Sequence, residues 1–406
     1  MHRKKLVLAI SKWFGLSVGF IGTQAVQAGD LITVDSISDQ PETGMTTFRE
    51  AIITANSSSG VTIEFDESLF SEPQTIILEQ GELTISSSTT INGPGADLLT
   101  IDGVDNSRIL RLSDEDSTVI QAVEINGITL TGGNGKSPAD SRSGGCILSF
   151  ESLSINESTV TGCTSSGRGG GVYSRFGSLT LNNTTVSDNR AGNQGGGISV
   201  RENDVLITNS TITNNVDIGF AGLNLVRQNN VEIINSTFSN NQPAGIKTES
   251  SSQTLHVINS TVVNNSDIGI DIKVNTRVSL SNSIVAGNSV ADCDFSAINN
   301  ASIIHNNLDT DGSCNVLANN HLTVDDPLLE ALAFYGGSTQ THRPQSNSPV
   351  IDAGDDSLCE AFDQRGQVRP QDGDANGSAV CDIGAVELGV SDDIIFTNGF
   401  DVTFKN

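Results

Sequence analysis

The chain has 406 residues and carries 48 acidic against 21 basic side chains, a formal net charge of −27. With 36% hydrophobic but only 4% aromatic residues, it can bury a core, and that core must be built from small aliphatic side chains. Such a charge excludes a nucleic-acid binder, which needs Lys and Arg to neutralise phosphates, and it repels polyanions unless a cation bridges the two.

Residues 1–28 read as an export signal. His2, Arg3, Lys4 and Lys5 precede an apolar run interrupted by Lys12, and Ala25-Val26-Gln27-Ala28 places small residues where a signal peptidase cuts. Removing this segment takes away four cations and no acid, leaves a net charge of −31, and removes Trp13, the single tryptophan. No transmembrane segment is expected in the mature chain. Residues 29–60 read as an N-terminal cap, in which Thr47-Phe48-Arg49-Glu50 is a capping box that starts a short helix through Ala55, with Phe48 and Ile52 on one side. Beyond it Val61–Phe65, Thr75–Leu78, Leu83–Ile85 and Leu99–Ile101 read as strands of less regular coils.

A repeat then sets in. Glu157-Ser-Thr-Val160, Asn183-Thr-Thr-Val186, Asn209-Ser-Thr-Ile212, Asn235-Ser-Thr-Phe238, Asn259-Ser-Thr-Val262 and Asn282-Ser-Ile-Val285 recur at intervals of 26, 26, 26, 24 and 23 residues. Six residues further on stand Cys163, Asn189, Asn215, Asn241, Asn265 and Asn288, and a third column holds Gly145, Gly171, Gly197, Gly222, Gly245 and Gly269. This period leaves room for three short strands and three turns, one coil of an all-β right-handed parallel β-helix over residues 61–290. Stacked asparagines then form ladders along the turns.

Alternation assigns the faces of the strand after each column glycine. Cys146, Val172, Ile198, Leu223, Ile246 and Ile270 point inward; Tyr173, Ser199, Asn224, Lys247 and Asp271 point outward, followed by a second outward column of Arg175, Arg201, Val226, Glu249 and Lys273. On that face Arg201, Lys247, Asp271 and Lys273 are the candidate catalytic residues.

Residues 291–388 are loop-rich and are expected to pack against the end of the β-helix. Six cysteines in an exported chain point to disulfides. Cys293–Cys314 and Cys359–Cys381 are each separated by close to one coil, and Cys146–Cys163 would bridge across a rung. Asp372-Gly-Asp374-Ala-Asn376-Gly377 fits the opening of a calcium loop, and Asn307-Leu-Asp309-Thr-Asp311-Gly312 is a weaker copy. Their twelfth positions are Ile383 and Ala318, so Asp382 or Glu387 would have to supply the missing carboxylate. The competing reading is a pair of Asx turns.

Thr46-Thr-Phe-Arg-Glu-Ala-Ile52 with Ala55-Asn56 resembles the N-terminal motif of bacterial CSLREA-domain proteins, with Thr46 where that motif has cysteine. Ser283–Asn288, Asn307–Cys314, Ser348–Gly354, Asp363–Gly366 and Cys381–Glu387 resemble the choice-of-anchor domain of exported β-helix proteins. The resemblance implies a secreted or surface-displayed protein and carries over no catalytic residues. Within the 389–406 tail, Ile394–Asp401 is similar to a C-terminal sequence of exported Gram-negative proteins, a sorting motif or a closing strand.

A non-catalytic role, monomeric and bound to an extracellular glycan or to a surface or matrix protein, therefore comes first from sequence. The alternative is a polysaccharide lyase or glycoside hydrolase acting on an outward strand face. Against catalysis stand the missing tryptophan platform and the mixed signs of the outward columns.

Overall fold

In each coil, residues such as Leu179, Leu181 and Val186 alternate with polar neighbours at period two, so one side of each strand faces the core and the other faces away from it. Stacking these half-apolar strands gives three parallel sheets, of 12, 11 and 12 strands among the described residues, that enclose a single core. The computed structural model describes residues 29–389 except 117, 137–141, 228–229, 250–253, 274, 299–301 and 316–317. The signal expected over 1–28 and the sorting motif expected beyond 389 lie outside the described residues.

Sheet 1 contains strands such as Ser178–Asn182 and Asp204–Thr208, sheet 2 the short strands Thr185–Ser187 and Thr211–Thr213, and sheet 3 Val172–Arg175 and Ile198–Arg201. Val160, Val186, Ile212, Phe238, Val262 and Val285 pair in succession and form one buried column. The corner between sheets 1 and 2 explains the first asparagine column. Asn183, Asn209, Asn235, Asn259 and Asn282 all adopt left-handed φ of 44–51°, which asparagine tolerates better than most residues with a Cβ.

The second column forms a buried amide ladder. Asn241 Oδ1 accepts from the backbone N of Asn215 (3.1 Å) and from its Nδ2 (3.0 Å), while Asn241 Nδ2 donates to Ile212 O (2.9 Å) and Asn265 Oδ1 (3.1 Å). The same pattern repeats at Asn189, Asn215 and Asn265. Turns that would otherwise bury unpaired amides are thereby satisfied.

Helix α1, Phe48–Ala55, covers the N-terminal end of the core with Phe48, Ala51, Ile52 and Ala55 buried, and Thr47 caps it reciprocally with Glu50. At the other end the solenoid runs past residue 290, with paired strands as far as Leu322–Thr323. The inward column of sheet 3 begins one residue later than the glycine spacing implies: Val172 pairs with Ile147, not Cys146. Cys146 instead sits fully buried at the head of that strand, bonded to Cys163, which occupies the ladder position of its coil. All three expected disulfides form, with Cα separations of 5.5, 5.0 and 6.3 Å. Such bridges belong to an oxidising compartment outside the cytoplasm. Among the described residues no helix is long and apolar enough to cross a membrane.

The loop-rich C-terminal portion lies along the flank of the solenoid, not against its end. Gln364 bonds Thr237 Oγ1 (2.7 Å) and Thr211 Oγ1 (3.0 Å), and His342 Nε2 meets Ser239 Oγ (2.9 Å). Ala385 N donates to Thr261 Oγ1 (3.0 Å), and Asn282 Nδ2 donates to Asp355 O (3.0 Å). The outward threonines and corner asparagines of sheet 2 offer a regular column of hydroxyls and amides, so a polar strap gains more by running along them than by stacking on one rung.

Candidate functional site

Each coil carries a loop between its asparagine ladder and its sheet 3 strand, and the length of that loop decides how much of sheet 3 meets solvent. Loops 166–171 and 192–197 are long and glycine-rich, and they fold back over the outer face. A Cβ on Gly169 or Gly195, at φ 64° and 82°, would lie 2.2 Å from the carbonyl oxygen of Val172 or Ile198, so the approach requires glycine. Tyr173, Ser199 and Asn224 consequently point away from the core, as alternation requires, yet are buried.

The cover ends abruptly at the next coil. Val216 pairs with Gln242 and Ala221 with Ala244, so residues 217–220 oppose the single residue Pro243 and bulge outward. Beyond the bulge the strands Gln242–Thr248, Ile268–Ile272 and Ala291–Asp294 carry Lys247, Asp271 and Asp294 on the outer face, and Lys273 follows directly after the second of them. Three of the four sequence candidates thus come together. Lys273 Nζ lies 2.8 Å from Asp271 Oδ1 and 2.7 Å from Asp294 Oδ2, and Lys247 Nζ lies 3.5 Å from Asp271 Oδ2. The hydrogen bond from Lys273 takes the Asp294 carboxyl down to about 2. Arg201 shares the face but belongs to a different group of charges, around Glu202.

At the step itself sits a residue that the alternation argument missed. Asp217 is buried, Oδ2 has no hydrogen-bond partner among the described residues, and Oδ1 accepts from the backbone N of Ile218. Burial pushes its carboxyl up to about 6 against the amides of Ile218 and Gly195, and the charge of Glu249 adds to the rise. Glu249 is also pushed up by burial, with Asn224, Lys247 and Arg168 partly offsetting that effect. Its Oε2 accepts from Gln194 Nε2, and Gln194 Oε1 accepts from Arg168 Nε, each at 2.5 Å. Lys247 completes the group by donating to Gly219 O (3.1 Å) from 5.1 Å off the Phe220 ring centroid. One signal could have revealed Asp217. Register places it after Gly135, Ser165 and Ala191 and before Pro243, an acid in a column of small residues.

The acidic loops divide differently from the calcium expectation. Asp372 and Asp374 converge with Asp352, not with Asp382, and one oxygen from each of the three lies within 4.8 Å of the others. Asn376 turns onto Asp374 Oδ2 (2.9 Å), and its backbone N donates to Asp372 and Asp374, the geometry of Asx turns. Asp382 faces the interior of the strap, accepting from Asp352 N and Leu388 N at 2.7 Å each, while Glu387 pairs with buried Arg369 at 3.1 Å. Burial raises both the Asp382 and the Glu387 carboxyls. In the other loop Asn307 joins the buried amide bonding through Ser283 N and Leu280 O. Asp309 accepts from Cys314 N and Thr323 Oγ1, and Asp311 from Asp292 N and Ser313 N.

A family model described as a right-handed β-helix region matches residues 40–283 and, overlapping, 151–328. The chain belongs to this family. No curated protein matches this β-helix. Among solved structures, the crystal structure of pectate lyase Pel9A superimposes with a TM-score of 0.52 at 12% identity, over 89% of this chain and 97% of that one. At that identity the likeness is one of fold.

Proposed function

We propose that this β-helix binds a polysaccharide outside the cytoplasm along the outer face of sheet 3 and cleaves it by acid–base chemistry at Asp217 and Glu249. The observation that carries the reading is the buried Asp217 beside the half-buried Glu249, both carboxyls raised, at the step where the covering loops stop. A carboxyl held near 6 is protonated in mildly acidic surroundings and can still give its proton to a leaving oxygen. In hydrolysis Asp217 donates that proton to the glycosidic oxygen as the carbon–oxygen bond breaks. Glu249, positioned by Gln194, takes a proton from the water that adds to the sugar carbon. Lys247 and Lys273 steady the neighbouring negative charge, and exposed Ile218 with Phe220 gives the sugar an apolar edge to lie against.

Sequence alone favours a non-catalytic role because the outward columns mix their charges. The Asp217–Glu249 pairing supplies the acid–base group that reading lacked. The test is incubation of the purified chain with a panel of neutral and acidic polysaccharides, following reducing ends together with the ultraviolet absorbance of unsaturated products. New reducing ends without absorbance mean hydrolysis, and absorbance means elimination. Asp217→Asn and Glu249→Gln should each lower the rate by about 10²–10⁴-fold. Cleavage unaffected by either substitution would refute the assignment.

A further inference from the structure

On a chain this acidic, a concentration of unneutralised positive charge is unusual, and sheet 3 carries one. Arg175 and Arg201 pair in register on the second outward column, and Arg227 follows Val226, the residue that pairs with Arg201. All three arginines converge on one carboxylate. Arg175 donates to Glu202 Oε2 through Nε (3.2 Å) and Nη2 (3.0 Å), Arg201 Nε reaches Glu202 Oε1 at 3.3 Å, and Arg227 Nη1 lies 3.6 Å from it. Among the described residues Glu202 is the one acidic partner of all three, so three cations share a single counter-charge.

The cluster is open and continuous with the proposed cleavage site. Arg227 is 59% exposed, Arg175 34% and Arg201 21%. Each guanidinium offers five N–H donors, and among the described residues Arg175 spends two of them on Glu202 and Arg201 one. Arg201, Val226 and Glu249 succeed one another along the column, which sets the Arg201 backbone ~10 Å and the Arg175 backbone ~14 Å from that of Glu249 at the usual strand spacing. An aromatic surface adjoins them: the Arg175 guanidinium stacks 4.4 Å from the Phe176 ring centroid, and Phe150 lies 6.5 Å from Phe176. Beyond the phenylalanines the cleft is lined by Asp114, Glu115, Asp116 and Glu151, which repel anions and confine them to the arginine side.

We infer that Arg175, Arg201 and Arg227 form a subsite for an anionic substituent, a carboxylate or a sulfate, on a sugar lying along sheet 3. Guanidinium forks suit both anions because they can give two parallel hydrogen bonds to either. This deepens the polysaccharide reading by naming the substrate class, and it resolves the conflict with net charge: along this strip three cations outweigh one acid on a chain that otherwise repels polyanions through its net charge.

Calorimetric binding of the full chain to dextran, carboxymethyl dextran and dextran sulfate oligosaccharides tests it on one sugar backbone. At least one charged probe should bind tenfold or more tightly than neutral dextran, and which of the two does so identifies the anion. Arg227→Gln, at an exposed position, and Arg201→Gln should each weaken that binding several-fold, while Glu202→Gln should tighten it. Tightening separates anion binding from a merely structural role, because loss of a structural counter-ion would not improve affinity. Equal binding of neutral dextran, charged-probe affinity unchanged by Arg227→Gln, or weakening by Glu202→Gln would overturn the subsite. Cleavage that depends on Asp217 alongside arginine-independent binding sinks the subsite alone. Arginine-dependent binding with no Asp217-dependent cleavage leaves the subsite standing and sinks the catalytic assignment.

Discussion

Asp217→Asn should make the protein inactive and, at neutral pH, more stable. The Asp217 carboxyl stands at about 6 in the folded chain against its ordinary 3.8, mainly because burial penalises its charge. A folded value above the unfolded one means that the relative stabilisation is complete below 3.8 and lost as pH rises through about 6. At 1.36 kcal/mol per unit, that gap corresponds to about 3 kcal/mol of instability above pH 6, an upper bound because the folded protein can relax around the charge. An amide in place of the carboxyl carries no charge at any pH, and its oxygen can still accept from Ile218 N and Gly195 N. Urea melts of both proteins from pH 4 to pH 8 should therefore coincide at the acid end and diverge with pH, the variant gaining up to ~3 kcal/mol. Parallel curves, or a variant less stable at pH 8, would refute the buried-acid assignment.

Asn241→Ala removes the partners of Asn215 N, Asn215 Nδ2, Ile212 O and Asn265 Oδ1 at a fully buried position, and should destabilise by about 3–5 kcal/mol, read as a lower urea midpoint. The raised Asp382 and Glu387 carboxyls have the same sign as Asp217: the stability they contribute is complete in acid and fades as pH rises through their raised values. Proteolysis within residues 325–388 should therefore quicken toward alkaline pH, and Asp382→Asn should flatten that dependence. Calcium is expected at Asp352, Asp372 and Asp374. Titration of EDTA-treated protein should release heat at millimolar concentrations and raise the Tm, Asp374→Ala should abolish both, and heat surviving that substitution would move the site elsewhere.

Whatever repeats in this chain could be read from the sequence, because stacking turns each spacing into a neighbour. The column from Val160 to Val285, the amide ladder and the capping box at Thr47 all follow from local pattern. Features that depend on departures from the repeat could not be read so directly. The one-residue slip at Cys146 arises where a disulfide replaces the ladder asparagine, and spacing alone put Gly145 in the column position that Cys146 holds. Alternation gave the outward direction of Ser199 and Asn224 correctly but said nothing of loops returning over them. Asp217 became visible only through the unequal lengths of neighbouring loops, since its chemistry depends on where the cover stops. Likewise, the bonds from Gln364 to Thr211 and Thr237 join residues more than 120 positions apart with no shared motif.

That lateral strap changes how the molecule comes apart. In a simple solenoid each coil touches only its neighbours, so an open end can fray one rung at a time. Here the coils that begin at Asn209, Asn235, Asn259 and Asn282 are each tied to the same segment: Thr339 Oγ1 donates to Asn209 O, Asn235 Nδ2 to Phe362 O, Glu360 N to Asn259 Oδ1 and Asn282 Nδ2 to Asp355 O. Peeling any one of them means shearing several attachments at once, as with a spine glued along stacked pages. Force or protease arriving from the C-terminal side meets a bound block, and the coils before Asn209, which Phe334 and Ser338 of the strap only flank across a cleft, become the place where the rod yields first.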